Sequence, residues 1–203
     1  MNLYPSLQAY IQTALVQPIT EERKTVLQKL VDYIQAKVDA EKAIRLNFIC
    51  THNSRRSQFS QIWAQLASEY FGIRTDCFSG GVEVTAFNER AVAAMERAGF
   101  VVQKAGTVNP KYFLFYNEED GPILAFSKLF NDPEMAPKHF AAVMTCADAD
   151  KNCPFIPQAE ARIPVRYEDP KAFDGTEKEA EMYDTRSLQI ASEMFYVFSK
   201  IIK

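Results

Sequence analysis

From residue 44 onward, short apolar runs alternate with segments of helical periodicity, and this alternation restricts the fold more than any other feature of the chain. Residues 44–49 read Ile-Arg-Leu-Asn-Phe-Ile, a strand signal that ends on Cys50. After a polar stretch, Phe59, Ile62, Trp63, Leu66 and Tyr70 recur at helical spacing, and Gly72 stops the helix. A second strand is predicted over 75–78, followed by Ser79-Gly80-Gly81. Asn88 caps a helix carrying Ala91, Val92, Met95 and Ala98, which ends at Gly99. Val101 and Val102 form a short strand or return segment. Further strands are predicted over 140–145, ending on Cys146, and over 162–165. Thr176 and Glu179 fit a capping box that opens a last helix, whose apolar positions include Tyr183, Ile190, Met194 and Phe198. The pattern predicts an α/β fold with a central, mostly parallel, four-stranded sheet flanked by helices. Ligands of such sheets gather beyond the carboxyl ends of the strands, where Cys50 and Cys146 both stand.

Two segments lie outside this alternation. Residues 1–41 form a helical N-terminal extension, with Thr20 as an N-cap, Glu21 and Glu22 in the first turn, and an apolar stripe of Leu27, Leu30, Val31, Ile34 and Val38. The extension packs on the main domain, residues 42–203, or on a partner. Within 108–135, the apolar runs 112–116 and 123–126 flank Asn117-Glu118-Glu119-Asp120-Gly121, a good turn composition. They read as a β-hairpin insertion, or as a local turn between crossover elements.

The 203 residues carry 23 Lys and Arg against 26 Asp and Glu, a net charge of −3, which excludes a strongly basic nucleic-acid binder. Hydrophobic residues at 47% and charged residues at 24% give a chain able to bury a core without disulfides or metals. No apolar run is long enough for a membrane span, and no basic segment leads into an apolar run near the N-terminus. A reducing, cytoplasmic compartment is the expectation, with no membrane partner, and the oligomeric state is open.

Four cysteines stand at 50, 77, 146 and 153, without the paired spacing of zinc knuckles, and no metal site is expected. Cys77 falls within the second predicted strand and reads as a packing residue. Cys50 opens the loop Cys50-Thr51-His52-Asn53-Ser54-Arg55-Arg56-Ser57 between a strand and a helix. Backbone N–H groups of Thr51, His52, Asn53, Ser54, Arg55 and the first helical turn can converge on an oxyanion there, in a field that favours a thiolate on Cys50. The planar fork of Arg56 suits a tetrahedral oxyanion. Ser57 can donate to the sulfur, and Asn53 can brace the loop through its side chain.

The loop resembles the active-site loop of low-molecular-weight protein tyrosine phosphatases and of the related thioredoxin-coupled arsenate reductases: a cysteine, five residues, then arginine and serine. Cys50, Asn53, Arg56 and Ser57 match; His52 stands where glycine is usual, and Arg55 where cysteine is frequent. A position of this kind calls for positive φ, which Asn and His tolerate better than most residues. The run from Cys146 to Pro154 is similar to the redox segment of the reductases, a cysteine, six residues, then Cys-Pro around an Asp-x-Asp core. Cys146, Asp148, Asp150, Asn152, Cys153 and Pro154 match it. A phosphatase needs neither of these cysteines; two structural cysteines around an acidic turn are the plainer reading. The resemblance covers about residues 43–102 and 138–200.

Asp169, before Pro170, matches the aspartate that both families place before proline, and Glu168 is the fallback. Such a carboxyl protonates a departing oxygen. The resemblance also implies a weakly held monovalent cation, with Asn53 and Ser79 matching its ligands and Gln61 replacing the usual glutamate. No tightly bound cofactor is expected. What the resemblance implies is reduction of arsenate to arsenite by a Cys50–Cys146–Cys153 thiol–disulfide relay, with thioredoxin as reductant. The alternatives are a phosphatase acting through a phosphocysteine on Cys50, and a non-catalytic module that binds arsenate or phosphate.

Overall fold

The computed structural model describes residues 1–134, 136–152 and 155–203, and of Asn152 the backbone alone. The first strand, β1 (Ile44–Cys50), is buried along nearly its whole length, as a strand covered on both faces must be. It pairs in parallel with β2 (Thr75–Gly81) on one side and with β6 (Phe140–Met144) on the other, and β6 pairs in parallel with β7 (Ala159–Pro164). The central sheet therefore has four parallel strands in the order β2-β1-β6-β7. Alternate residues of β6 divide between two apolar clusters: Ala141 and Val143 join one, Phe140, Ala142 and Met144 the other. That split is the two-residue period of a strand whose faces are both covered.

The order in which strands are added to the sheet reverses between β1 and β6, because the crossover after β1 leads to one side of the sheet and β6 lies on the other. The carboxyl end of β1 is thus a topological switch point, and Cys50 stands on it. Strand β2 runs longer than the sequence predicts: Ser79, Gly80 and Gly81 continue the pairing until Gly81 lies opposite Cys50. The helix α3 (Arg56–Phe71) leaves the Cys50 loop and ends at Gly72, whose φ of 62° is the left-handed conformation that a helix stop uses. Helix α4 (Glu89–Arg97) begins where expected, with Asn88 accepting from the Arg90 N–H. The long α6 (Glu179–Ser199) packs on α3.

The N-terminal helices α1 (Pro5–Leu15) and α2 (Glu21–Asp39) pack on α6, and Thr20 caps α2 by accepting from the Arg23 N–H at 3.2 Å. Leu7, Ile11, Leu27, Leu30 and Ile34 are wholly buried in the same cluster as Trp63 and Phe195. Tyr10 stacks on Trp63 at 5.3 Å between ring centroids, and Arg23 makes a two-pronged ion pair with the buried Glu193 at 2.7–2.8 Å. The predicted stripe of α2 is therefore spent on this chain's own core.

The hairpin expected within 108–135 is present as β4 (Lys111–Phe115) and β5 (Ile123–Ala125). Its turn is fixed by Asn117, whose Oδ1 accepts from the N–H groups of Glu119 and Asp120. The segment at 101–102 belongs to this unit: β3 (Val101–Ala105) pairs with β4 and makes a second, antiparallel sheet. Beyond β5 the chain runs along the end of β2, with the Gly81 N–H donating to Lys128 O at 2.8 Å and the Phe130 N–H to Gly81 O at 2.9 Å.

The expected capping box at Thr176 and Glu179 is not formed. Helix α6 starts only at Glu179; Thr176 Oγ1 accepts from the Lys178 N–H, and Glu179 reaches the Gly175 N–H instead. The turn ahead of the helix places Gly175, at φ 75°, where the orphan donor lies. Among the described residues, no helix is long and apolar enough to cross a membrane.

Candidate active site

Cys50 ends β1, is nearly fully buried, and has its Sγ 3.0 Å from Ser57 Oγ at the start of α3. The loop between them is held from outside by its carbonyls. Cys50 O accepts from the Val82 N–H, Thr51 O from the Glu83 N–H, Ser54 O from the Asn88 N–H, and Arg55 O from the Phe59 N–H. His52 O accepts from the hydroxyls of Thr85 and Ser127, and Asn53 O from Gln58 Nε2. With six successive carbonyls bound to the surrounding protein, the loop's N–H groups are the polar groups left for its concave side.

The left-handed residue of the loop is Asn53, at φ 46°; His52 is not among the positive-φ residues. Glycine is therefore not required where His52 stands. Asn53 is wholly buried and makes the predicted brace: Nδ2 donates to Ser57 Oγ at 2.8 Å, and Oδ1 accepts from the Lys128 N–H at 3.0 Å. Ser54 donates to Ala86 O. Gly81 lets the end of β2 touch the loop, since a Cβ there would lie 2.6 Å from Glu83 O and 2.8 Å from Asn53 N.

The two loop arginines part company. Arg56 donates to Asp169 Oδ2 at 2.7 Å and to Tyr167 O at 3.1 Å. Arg55 is engaged by Tyr183 Oη at 2.7 Å and by Asp174, so its side chain is tied to α6 and the turn before it. The backbone of Arg55, through which it was expected to face an oxyanion, remains part of the loop. His52 is half exposed and faces Glu83 at 3.4 Å.

Asp169 also accepts from the Lys171 N–H, which caps the short turn Pro170–Phe173 and fixes the carboxylate. Strand pairing explains its position: the Val165 N–H donates to Met144 O and the Tyr167 N–H to Thr145 O, which carries the chain from β7 along the end of β6. Glu168, the fallback acid, is exposed.

Cys146 stands two residues beyond β6, beside the end of β1 that Cys50 forms, and the two strand ends are joined by both the N–H and the hydroxyl of Thr145 donating to Ile49 O. Both thiols belong to one apolar cluster. Cys146 Sγ lies 3.5 Å from Thr51 Oγ1 and accepts from the Ala149 N–H at 3.3 Å, in the first turn of α5 (Ala147–Asn152). Asp150 anchors that turn, accepting from Arg166 Nε at 2.9 Å and from Arg162. Burial works to raise the Asp150 carboxyl, but the hydrogen bonds from the two arginines outweigh it and hold it below its ordinary value. Cys153 and Pro154 lie outside the described residues. Cys50, Cys77 and Cys146 are free thiols, and burial pushes the Cys77 thiol well above its usual range, in keeping with a packing role.

Sequence reasoning missed Gln58, Ser127 and Lys128. Lys128 is buried, with Nζ 3.3 Å from both Ser79 Oγ and Phe126 O and 4.6 Å from the centroid of the Phe126 ring. Burial pulls its ammonium down to about 8, against a weaker pull upward from Asp132. Ser79 also donates to Gln61 Oε1 at 2.5 Å. These contacts decide the question of a monovalent cation: Asn53 Oδ1 and Ser79 Oγ, the ligands expected for one, are taken by the N–H and the ammonium of Lys128, and the residues present do not fit a further cation. The only signal in the sequence was a lysine two residues beyond the apolar run 123–126.

No family model matches the chain. Among curated proteins, arsenate reductase 2 of Staphylococcus epidermidis is 31% identical over 123 residues, which is 61% of this chain and 76% of that protein. The arsenate reductase of Bacillus licheniformis is 29% identical over 132 residues, 65% of this chain and 78% of that one. Among solved structures, a low-molecular-weight protein tyrosine phosphatase from T. tengcongensis superposes with a TM-score of 0.52 at 16% identity, over 78% of this chain and 100% of its own. A YwlE mutant from Bacillus subtilis gives 0.52 at 13%, over 77% and 97%. These two likenesses speak to the fold. Together with the sequence relatives they place the chain: it belongs to the arsenate reductase family, built on the low-molecular-weight phosphatase fold.

Proposed function

We propose that the protein reduces arsenate to arsenite. The observation that carries this reading is the shared position of Cys50 and Cys146, at the ends of neighbouring parallel strands and in one cluster, with Thr51 between them. Arsenate binds the concave side of the loop from Thr51 to Ser57 and takes Arg56 as its charged partner. The Cys50 thiolate attacks arsenic, and Asp169 gives its proton to the oxygen that leaves as water. Ser57 donates to the thiolate and lowers the cost of its charge.

The Cys146 thiolate then attacks Cys50 Sγ. The sulfur–arsenic bond breaks and its electron pair stays on arsenic, so arsenite departs and a Cys50–Cys146 disulfide forms. Cys153 attacks Cys146 Sγ and frees Cys50 as a thiolate. The Cys146–Cys153 disulfide is returned to two thiols by a dithiol reductant, for which thioredoxin is the proposed partner. Nothing in this scheme needs a bound cofactor.

The test is arsenite production with thioredoxin, thioredoxin reductase and NADPH. Turnover that stops in both Cys146→Ser and Cys153→Ser, with Cys153→Ser still releasing up to one arsenite per Cys50 and Cys146→Ser releasing none, supports the relay. Undiminished turnover in both variants overturns it. Hydrolysis of an aryl phosphate that exceeds arsenate reduction and survives both substitutions assigns the site to phosphomonoester chemistry on Cys50. Phosphate binding without either reaction assigns it to oxyanion binding alone.

A further inference from the structure

Beneath the oxyanion loop lies a cluster of oxygens around a single cation. The Lys128 ammonium donates to Ser79 Oγ and Phe126 O, and Ser79 Oγ in turn reaches Gln61 Oε1 and Gln58 Oε1. Gln58 Nε2 donates to Asn53 O at 2.9 Å and to Phe126 O at 2.8 Å. The Lys128 N–H holds Asn53 Oδ1, and Asn53 Nδ2 holds Ser57 Oγ, the group 3.0 Å from Cys50 Sγ. Two hydrogen-bonded routes thus run from this one lysine to Asn53, and one continues to the nucleophile.

Burying an ammonium among neutral oxygens costs free energy that an apolar side chain in the same place would not. Here the cost is offset by a hydroxyl, a carbonyl and the face of the Phe126 ring, and the charge of Asp132 also favours the ammonium. An oxygen-lined pocket with one positive charge is what a monovalent cation site offers. The charge here is covalently attached.

We propose that Lys128 replaces the monovalent cation beneath the loop, its ammonium holding Ser79 and its backbone Asn53, so that the protein binds oxyanion without potassium or sodium. Lys128 touches no substrate in this scheme and is a positioning residue. The proposal rests on the oxyanion reading of the loop for its binding readout, and on the lysine cluster alone for its stability readout.

The experiment compares potassium chloride with choline chloride at matched ionic strength, following the thermal midpoint of the full chain and its affinity for inorganic phosphate. In the native protein both quantities stay the same on exchanging the salts, the affinity within about twofold. Lys128→Ala opens space beside the same oxygens: in choline its midpoint falls and phosphate binding weakens by about tenfold. Potassium or ammonium chloride restores both in part. Lys128→Met keeps the volume and removes the charge; it folds, binds phosphate about tenfold more weakly in either salt, and does not respond to potassium. A native protein whose midpoint or affinity rises with potassium overturns the proposal, as does native-like phosphate binding by Lys128→Met. If Lys128→Ala does not fold, Lys128→Met decides. A native protein that binds no phosphate in either salt overturns the oxyanion reading of the loop; the substitution of cation by lysine then stands or falls on the midpoints.

Discussion

Arg56 and Asp169, 113 residues apart in the chain, are joined at 2.7 Å between guanidinium and carboxylate. The arginine proposed to receive the oxyanion is therefore already paired with the acid proposed to protonate it. Oxyanion and carboxylate compete for one guanidinium. Asp169→Asn removes both the acid and a full negative charge beside the site. Turnover is expected to fall by about 100-fold, while phosphate binds several times more tightly. Steady-state rates and calorimetric titration of the same variant check both halves, and weaker phosphate binding would count against the competition.

Ser57 stands between Cys50 and Asn53, accepting from Asn53 Nδ2 and facing Cys50 Sγ. Because Asn53 supplies a proton to Ser57 Oγ, the hydroxyl's own proton is directed to the sulfur. Ser57→Ala removes that donor. Alkylation of Cys50 by iodoacetamide at neutral pH is expected to slow by at least about tenfold, the value of roughly one charge-assisted hydrogen bond. Mass spectrometry of the labelled peptide distinguishes Cys50 from the other thiols.

Asp150 ties the turn carrying Cys146 to Arg162 and Arg166, which lie on β7 and just beyond it. Its folded carboxyl ionises more readily than the unfolded one, so its contribution to stability is complete above the ordinary carboxylate range and is lost as the pH falls through the lower folded value. Asp150→Asn is expected to cost about 1–2 kcal/mol at neutral pH. Urea unfolding should show the difference between variant and native protein shrinking below about pH 4. A difference independent of pH would exclude the ionised carboxylate as its source.

At Gly81 an added Cβ meets three backbone oxygens and nitrogens within 2.9 Å, belonging to Glu83, Asn53 and Thr51. None of these atoms can move without moving the loop. Gly81→Ala is expected to destabilise the protein by about 2–3 kcal/mol and to weaken phosphate binding in the molecules that remain folded. Denaturant titration and calorimetry measure the two effects separately.

The parallel sheet, the helix stop at Gly72, the caps at Thr20 and Asn88, and the strand–loop–helix around Cys50 were all readable along the chain. Each depends on neighbours in sequence: a period of two or of 3.6, a side chain reaching its own backbone, or a residue that tolerates positive φ. Pairing across the sheet was not readable in the same way. That β6 lies beside β1, so that Cys146 comes to Thr51 and Asp169 to Arg56, is a property of strand order. Lys128 shows the limit most plainly. Along the chain it stands two residues beyond the apolar run 123–126, in a segment unlike the rest of the family pattern, and nothing local marks it as part of the site. Only the crossing of that segment over the end of β2 buries its ammonium against Ser79 and its backbone against Asn53, because hydrogen bonds between distant elements are fixed by packing and leave no periodic trace in the sequence.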